Sequence, residues 1–423
     1  MATQFSVDDD VPWKGRFFTI WSVQALSLLG SELVQFALVW FLTIETGSAT
    51  VLATATLFAT LPRVLAGPLI GSYVDRWNRR TIMMIADAFV ALVTLGLAAL
   101  FFFEQVQVWQ IYALMILRAF AGTFHGTAMS SSTSLMVPVE NLTRIQGLNQ
   151  FLNGGLGIIS APLAALLLNI LPMQGILAID VITAIVAIVP LFFFAIPQPE
   201  RDRSKQTSVW QEMGEGVTYV RHWPGLLWIM GMAMAINFFL SPAASLLPLL
   251  VNQHFGLGAT EYGWQQMTFG VGILVGSLLL GVWGGFKKKA VTSMVGLVGV
   301  GLGMFVTGFA PANAYLFSLI GVAVTGITIP LTNGGIGAIM QAYIAPEMQG
   351  RVMSLLGTGA SLMAPVGLII IGPLADVIGI RFPFLLGGIV TLLLGIVGFF
   401  VPAVMNIEDG TELPTPVEAS AAD

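Results

Sequence analysis

Six ionisable residues lie inside long apolar runs of this chain: Glu32, Arg63, Asp87, Arg118, His125 and Asp180. A charge at the centre of a membrane helix costs about 2.5–3.5 kcal/mol on insertion scales. Such groups are kept where they carry ions or protons, or where they hold a bundle together. All six fall in the first half of the chain. Glu32 sits midway along its run beside Gln24, Ser27, Ser31 and Gln35, a polar stripe at helical spacing. A carboxyl on the wall of a partly dry cavity can load and release a proton, so Glu32 is the expected proton carrier. Arg118, Gly122, His125 and Met129 also share one helical face. Arg118 can hold a nearby carboxyl in its charged form and release it when helices move apart; the alternative is a fixed ion pair with Asp87 or Glu32. His125 is a second group able to exchange a proton, or else a hydrogen-bonded packing residue. Asp87 is expected to partner nearby arginines, and Asp180 to be a wetted structural carboxylate. Arg63, after Pro62, faces either the cavity or the cytoplasmic network.

The elements that position these groups must be membrane helices. The 423 residues are 56% hydrophobic and 9% charged, against about 25% charged in soluble domains. A span needs roughly 20 apolar residues. The apolar runs predict twelve spans, near 17–42, 51–74, 81–103, 108–131, 145–171, 173–196, 225–251, 262–283, 290–310, 313–339, 350–373 and 381–405. The first begins near Phe17 after an acidic start and is long enough to span, which argues against a cleavable signal peptide. The expected organisation is a tail at 1–16, a six-helix bundle at 17–196, a linker at 197–224 with an amphipathic helix, a second six-helix bundle at 225–405, and a disordered tail at 406–423. Lys14 and Arg16, Arg76, Arg79 and Arg80, Arg144, the 201–221 group, Lys287 to Lys289 and Arg351 fall on one side, and only Arg381 on the other. By the positive-inside rule, both termini and the linker are cytoplasmic. Without cysteine, disulfide and thiolate-metal chemistry is excluded. No phosphate-binding loop, zinc motif or nucleophile elbow is present, so neither an enzyme nor an ATP-driven pump is expected.

Two segments echo each other at an offset of roughly 207–210 residues: Pro138 to Arg144 before the fifth span, and Pro346 to Arg351 before the eleventh. A charged turn, Gly71-Ser-Tyr-Val-Asp75-Arg76-Trp-Asn-Arg79-Arg80, has a worn copy at Gly281 to Lys289 that lacks the Asp-Arg pair. The turn reads as a cytoplasmic latch. Gly71 lets helices approach, Asp75 accepts hydrogen bonds or pairs with an arginine, and Arg76, Arg79 and Arg80 add charge-assisted bonds. Asp87 is its expected partner, and a plain positive-inside anchor is the alternative.

The 71–80 turn resembles the signature between the second and third helices of the major facilitator superfamily. The run Arg118 to Gly126 resembles its fourth-helix motif, whose arginine is associated with proton coupling. In the fifth span, Gly154-Gly-Leu-Gly157 and Pro162 are similar to the exporters' glycine-rich helix, with Ala161 replacing its glycine. Gly30-Ser31, Ala37 to Trp40 and Thr46 to Thr50 resemble the macrolide-efflux type of drug–proton antiporter.

The resemblance implies an all-α polytopic protein of two pseudo-symmetric bundles in a plasma (inner) membrane, monomeric, without cofactor, working by alternating access. It implies proton-driven export of a small amphipathic drug such as a macrolide, in contact with the bilayer and with no nucleic acid. A midplane cavity follows from that fold, with Gln24, Glu32, Arg118, Asn149 and Asn153 as candidates from one half. Asn237, Gln265, Gln266 and Asn333 are candidates from the other, with Met234 and Phe238 suiting a loosely specified ligand. A lipid or lysophospholipid flippase of the same fold is the alternative transporter. A non-transporting sensor or scaffold is the alternative of another class.

Overall fold

The computed structural model describes residues 13–408 except 75, 195, 197 and 199–216. The amphipathic helix expected in the linker lies mainly outside the described residues, which resume in a short helical stretch at 217–221. The described residues are helical throughout, with no strand.

The first six helices are α1 (Trp13–Thr46), α2 (Ala49–Val74), α3 (Arg79–Phe102), α4 (Val108–Met136), α5 (Val139–Ile170) and α6 (Met173–Phe193). The next six are α7 (Pro224–Leu249, continued by a π turn Leu250–His254), α8 (Ala259–Trp283), α9 (Lys289–Phe309), α10 (Tyr315–Tyr343), α11 (Pro346–Ile378) and α12 (Phe382–Phe400). A single turn, α13 (Pro402–Met405), follows. Starts and stops follow local chemistry. Asn78 caps α3 by accepting from the Thr81 amide at 3.2 Å, and Gly284 ends α8 in the left-handed conformation that suits glycine.

Among the described residues, eleven helices are long and apolar enough to cross a membrane. The exception is α4, which carries Arg118, His125 and a run of serines and threonines. Its hydroxyls bond back to carbonyls one turn earlier, Thr127 to Thr123 at 2.8 Å and Ser131 to Thr127 at 2.9 Å. Satisfied internally, they cost little in an apolar setting.

The chain forms two compact units. The first is Met1–Glu45 with Ala55–Asp202, and the second is Thr46–Thr54 with Arg203–Asp423. The first is cored by Phe17, Ile20, Met83, Met136, Ile145 and Leu191. The second has a core around Leu226, Ile339, Met340 and Val352. Its α9 and α10 meet through glycines: a Cβ on Gly303 would fall within 3 Å of the Thr325 amide, and one on Gly321 within 3 Å of the Thr307 amide. In lipid, where helices gain little from hydrophobic burial, such close approach supplies the packing energy.

The unit boundary differs from the expected one because the first turn of α2 packs with the second unit. Ser48 caps the helix by accepting from the Val51 amide at 3.3 Å. Asp376, near the end of α11, takes the Ala49 amide at 2.6 Å and the Thr50 amide at 2.9 Å, together with the Thr50 and Ser48 hydroxyls at 2.5 and 3.0 Å. The orphan donors of a helix start are thereby satisfied. Gly47, with φ +58°, turns the chain just before, and its carbonyl accepts from Gln253 Nε2 at 2.6 Å. The carboxylate is solvent-exposed, so water replaces part of what is lost on its removal. Asp376→Ala should cost about 1 kcal/mol, the range of a lost cap, read as a lower thermal midpoint in detergent. An unchanged midpoint would show that the clamp holds nothing.

Glu408, expected in a solvated tail, is structured. Its Oε1 accepts from the Ala290 amide at 2.6 Å, and Ile407 beside it is buried. The amide belongs to the first turn of α9, where a carboxylate meets both a free donor and the positive end of the helix.

Candidate functional site

A cavity of about 280 Å³ opens inside the first unit, lined by α1, α3 and α4 with Ala59 of α2 and Ala184 of α6. Its polar wall comes from the stripe Gln24, Ser27, Ser31, Glu32 and Gln35, faced by Asp87, Arg118 and His125. The 3.6-residue period brings the stripe to one face of α1, and α4 presents Arg118, Gly122 and His125 in the same way. Glu32 is exposed on this wall.

Arg118 pairs with Asp180, not with Asp87 or Glu32. It also donates to the Thr94 hydroxyl at 2.6 Å. Asp180 is fully buried, accepting further from Ser31 at 3.0 Å and Thr94 at 3.3 Å. The expectation of a wetted carboxylate is corrected: Asp180 anchors the arginine from beneath. Burying an ion pair is expensive unless its remaining hydrogen-bonding positions are filled, and Thr94 and Ser31 fill them. Gly30 lies directly over Asp180 and Thr183, where a Cβ would collide with the Thr183 hydroxyl.

Asp87 also departs from expectation. Its partners are Gln24, which donates to Oδ2 at 3.1 Å, and His125, whose Nε2 lies 3.4 Å from Oδ1. It faces the cavity about two turns into α3, and neither of these partners belongs to the charged turn. Asp180, beneath the cavity, therefore pairs with Arg118, and Asp87, on its wall, with His125, while Glu32 shares that wall. Arg63 is exposed on α2.

The other candidates scatter. Asn149 accepts from Trp21 Nε1 at 2.8 Å, tying α5 to α1, and Asn153 is exposed on α5. A Cβ on Gly155 or Gly157 would meet nothing within 4 Å, so close packing does not require these glycines; Pro162 lies within α5. In the second unit, Asn237 and Gln266 line one cavity of about 210 Å³ with Phe269, Met304 and Phe384. Gln265 does not: it is buried and donates to the Ser318 hydroxyl at 2.8 Å. Neighbouring positions on a helix point about 100° apart, so the pair cannot share a wall. Asn333 is exposed on α10.

At the charged turn, Asp75 lies outside the described residues. Gly71 has open space where a Cβ would sit, so close helix approach is not what that position serves. Arg80 donates to the carbonyls of Leu191 and Phe192 at the end of α6. The Arg79 amide donates to Gln198 Oε1 at 3.3 Å. Arg76 is exposed.

Sequence reasoning missed Thr94 and Asp376. Thr94 stands seven residues after Asp87 in an apolar helix, a spacing that returns to the same face. Asp376 fell beyond a span ended too early at Pro373; α11 continues to Ile378.

The model of the Major Facilitator Superfamily matches residues 20–244 and 227–420. Macrolide efflux protein A of Streptococcus pyogenes is 34% identical over 386 residues, covering 91% of this chain and 95% of that protein. Multidrug efflux pump Tap of Mycolicibacterium fortuitum is 26% identical over 393 residues, covering 90% and 94%. Among solved structures, a variant of the nucleoside transporter NupG superposes with a TM-score of 0.70 at 13% identity, covering 92% of this chain and 99% of that one. The last likeness shows the fold alone.

Proposed function

The chain belongs to the Major Facilitator Superfamily, a transporter and not an enzyme, and from that premise we propose that it exports amphipathic drugs of the macrolide kind in exchange for protons. The 34% identity to a macrolide efflux protein over nearly the whole chain supports the substrate class. The observation that carries the coupling is the placement of Glu32 on one cavity wall with Arg118 and His125.

In this reading Glu32 takes up the proton. Arg118, braced by Asp180 and Thr94, supplies a fixed positive charge that favours the ionised carboxylate and resets it after release. His125 and Asp87 form a second exchangeable pair in the same cavity. Asn237 and Gln266, among Phe269 and Met304, offer the few polar contacts and adaptable apolar surface that a bulky amphiphile needs. The 71–80 turn acts as the cytoplasmic latch, with both termini on that side, and the protein works as a monomer without cofactor. One proton crossing 100 mV releases about 2.3 kcal/mol, enough for a roughly fiftyfold substrate gradient at about 1.4 kcal/mol per tenfold.

The test is export of a radiolabelled macrolide from proteoliposomes under an imposed pH gradient. Wild type should move the drug only with the gradient. Glu32→Gln, which keeps size and polarity but cannot cycle a proton, should lose at least tenfold of that flux while drug binding persists. Gradient-independent movement in wild type, or full flux in Glu32→Gln, would sink the proposed coupling.

A further inference from the structure

The second unit's cavity, of about 210 Å³, lies among α7, α8, α9, α10 and α12. Helical spacing builds its walls: Asn237 and Ser241 stand one turn apart on α7, and Gln266 and Phe269 three residues apart on α8. Phe384 is in the first turn of α12, and α13 follows the last, so the cavity sits at the end of the unit away from α13. Sites that enclose a whole drug measure roughly 300–1,000 Å³. This one has room for a part of such a molecule.

None of its lining residues is ionisable. A charged group placed there would lose water without gaining a counter-charge, so the occupant is neutral. The polar groups are of two kinds. The hydroxyls of Thr307 and Thr325 donate back to the carbonyls of Gly303 and Gly321 at 2.9 Å, and Asn237 Nδ2 donates to the Ala233 carbonyl at 2.9 Å. Their oxygens remain as acceptors. Among the described residues, the Ser241 hydroxyl and the Gln266 amide have no partner, and they keep donors as well as acceptors. A purely apolar occupant would leave all of these unmatched.

We propose that this cavity is a subsite for one uncharged sugar ring of a glycosylated amphiphile. The ring's hydroxyls and ethers bond to Ser241, Gln266 and the three acceptor oxygens, and its C–H faces lie against Phe269 and Phe384. A cationic amino sugar finds no carboxylate there and is excluded. The inference rests on the export reading above for the kind of molecule carried, and adds which part of it the second unit recognises.

Calorimetric titration of the full-length protein, in a detergent without a sugar headgroup, tests the proposal. The ligands are a macrolide bearing one neutral and one amino sugar, and the same macrolide after acid removal of the neutral sugar. Wild type should bind the first at least about tenfold more tightly, the worth of one or two net hydrogen bonds. In Gln266→Leu, which keeps the size and loses the amide, that difference should fall below about threefold. A second arm needs no macrolide. The chain has no cysteine, so Ser241→Cys places a single thiol in the cavity. A methyl glycoside of the neutral sugar should slow its alkylation by maleimide several-fold, and the amino sugar should not. The thiol of Ala312→Cys, exposed between α9 and α10, should react at one rate throughout. Equal binding of the two macrolides by wild type, or an undiminished difference in Gln266→Leu, would overturn the subsite even where gradient-driven export holds. Protection of the Ser241→Cys thiol by the neutral glycoside, with neither macrolide bound, would keep the subsite and sink the macrolide reading; no protection would overturn the subsite.

Discussion

Asp180→Asn is expected to destabilise the protein by about 3–5 kcal/mol, the usual cost of removing one member of a buried ion pair. The side chain is 1% exposed, and it holds Arg118, which is itself only 12% exposed. Asparagine fits the space and still accepts one hydrogen bond, but it leaves a guanidinium buried without its counter-charge. Ser31 and Thr94, which now converge on the carboxylate, would be left with a weaker acceptor. Unfolding in mixed micelles should show the loss directly. The double variant Asp180→Asn with Arg118→Gln should recover most of it, because the stranded charge is gone, yet remain inactive in gradient-driven export. If the single variant matched wild type within about 1 kcal/mol, Asp180 would not be the anchor described above.

The second large effect belongs to the other unit. A Cβ on Gly276 of α8 would fall well within 3 Å of the Ile327 carbonyl of α10, and within 3 Å of two further backbone atoms there. Backbone cannot rotate aside as a side chain does, so Gly276→Ala must push the helices apart. Overpacking of this kind costs about 1–3 kcal/mol, occasionally more, and the lost helix contact adds to it. A Cβ on Gly281, five residues on, would meet nothing within 4 Å, and Gly281→Ala should be neutral or slightly stabilising. Thermal midpoints of the two variants in one detergent separate them; equal midpoints would mean that α8 and α10 are not held at this contact.

Helix placement was legible because apolar runs of membrane length leave little else to do: each of the twelve runs became a long helix, with ends shifted by a few residues. The polar stripe of α1 and the Arg118 face of α4 were legible for the same reason, since periodicity fixes a face. What periodicity cannot fix is the partner across the gap. Arg118 was expected to pair with Asp87 or Glu32, and the packing of α3, α4 and α6 gives it Asp180 instead. Gln265 and Gln266 show the limit most plainly. They are the same residue type at adjacent positions, yet one is a core contact and the other lines a cavity, depending on a rotation of α8 that its apolar surroundings do not reveal. Gly71 was expected to let helices approach, yet a Cβ there would meet open space, as would one on Gly157. Glycines that do carry contacts, among them several on α8, α9 and α10, sit in helices whose composition looks no different.

The clamp on the start of α2 also bears on how the chain is made. Thr50 and Asp376 are 326 residues apart, and synthesis at about 5–20 residues per second separates them by about 16–65 s. During that interval α2 is already in the bilayer, and the acceptor for its first two amides has not left the ribosome. The nascent first half must therefore wait with a frayed corner, held by water, lipid headgroups or the insertion machinery. Its last local contact forms only after α11 arrives, which makes the start of α2 a late marker of assembly.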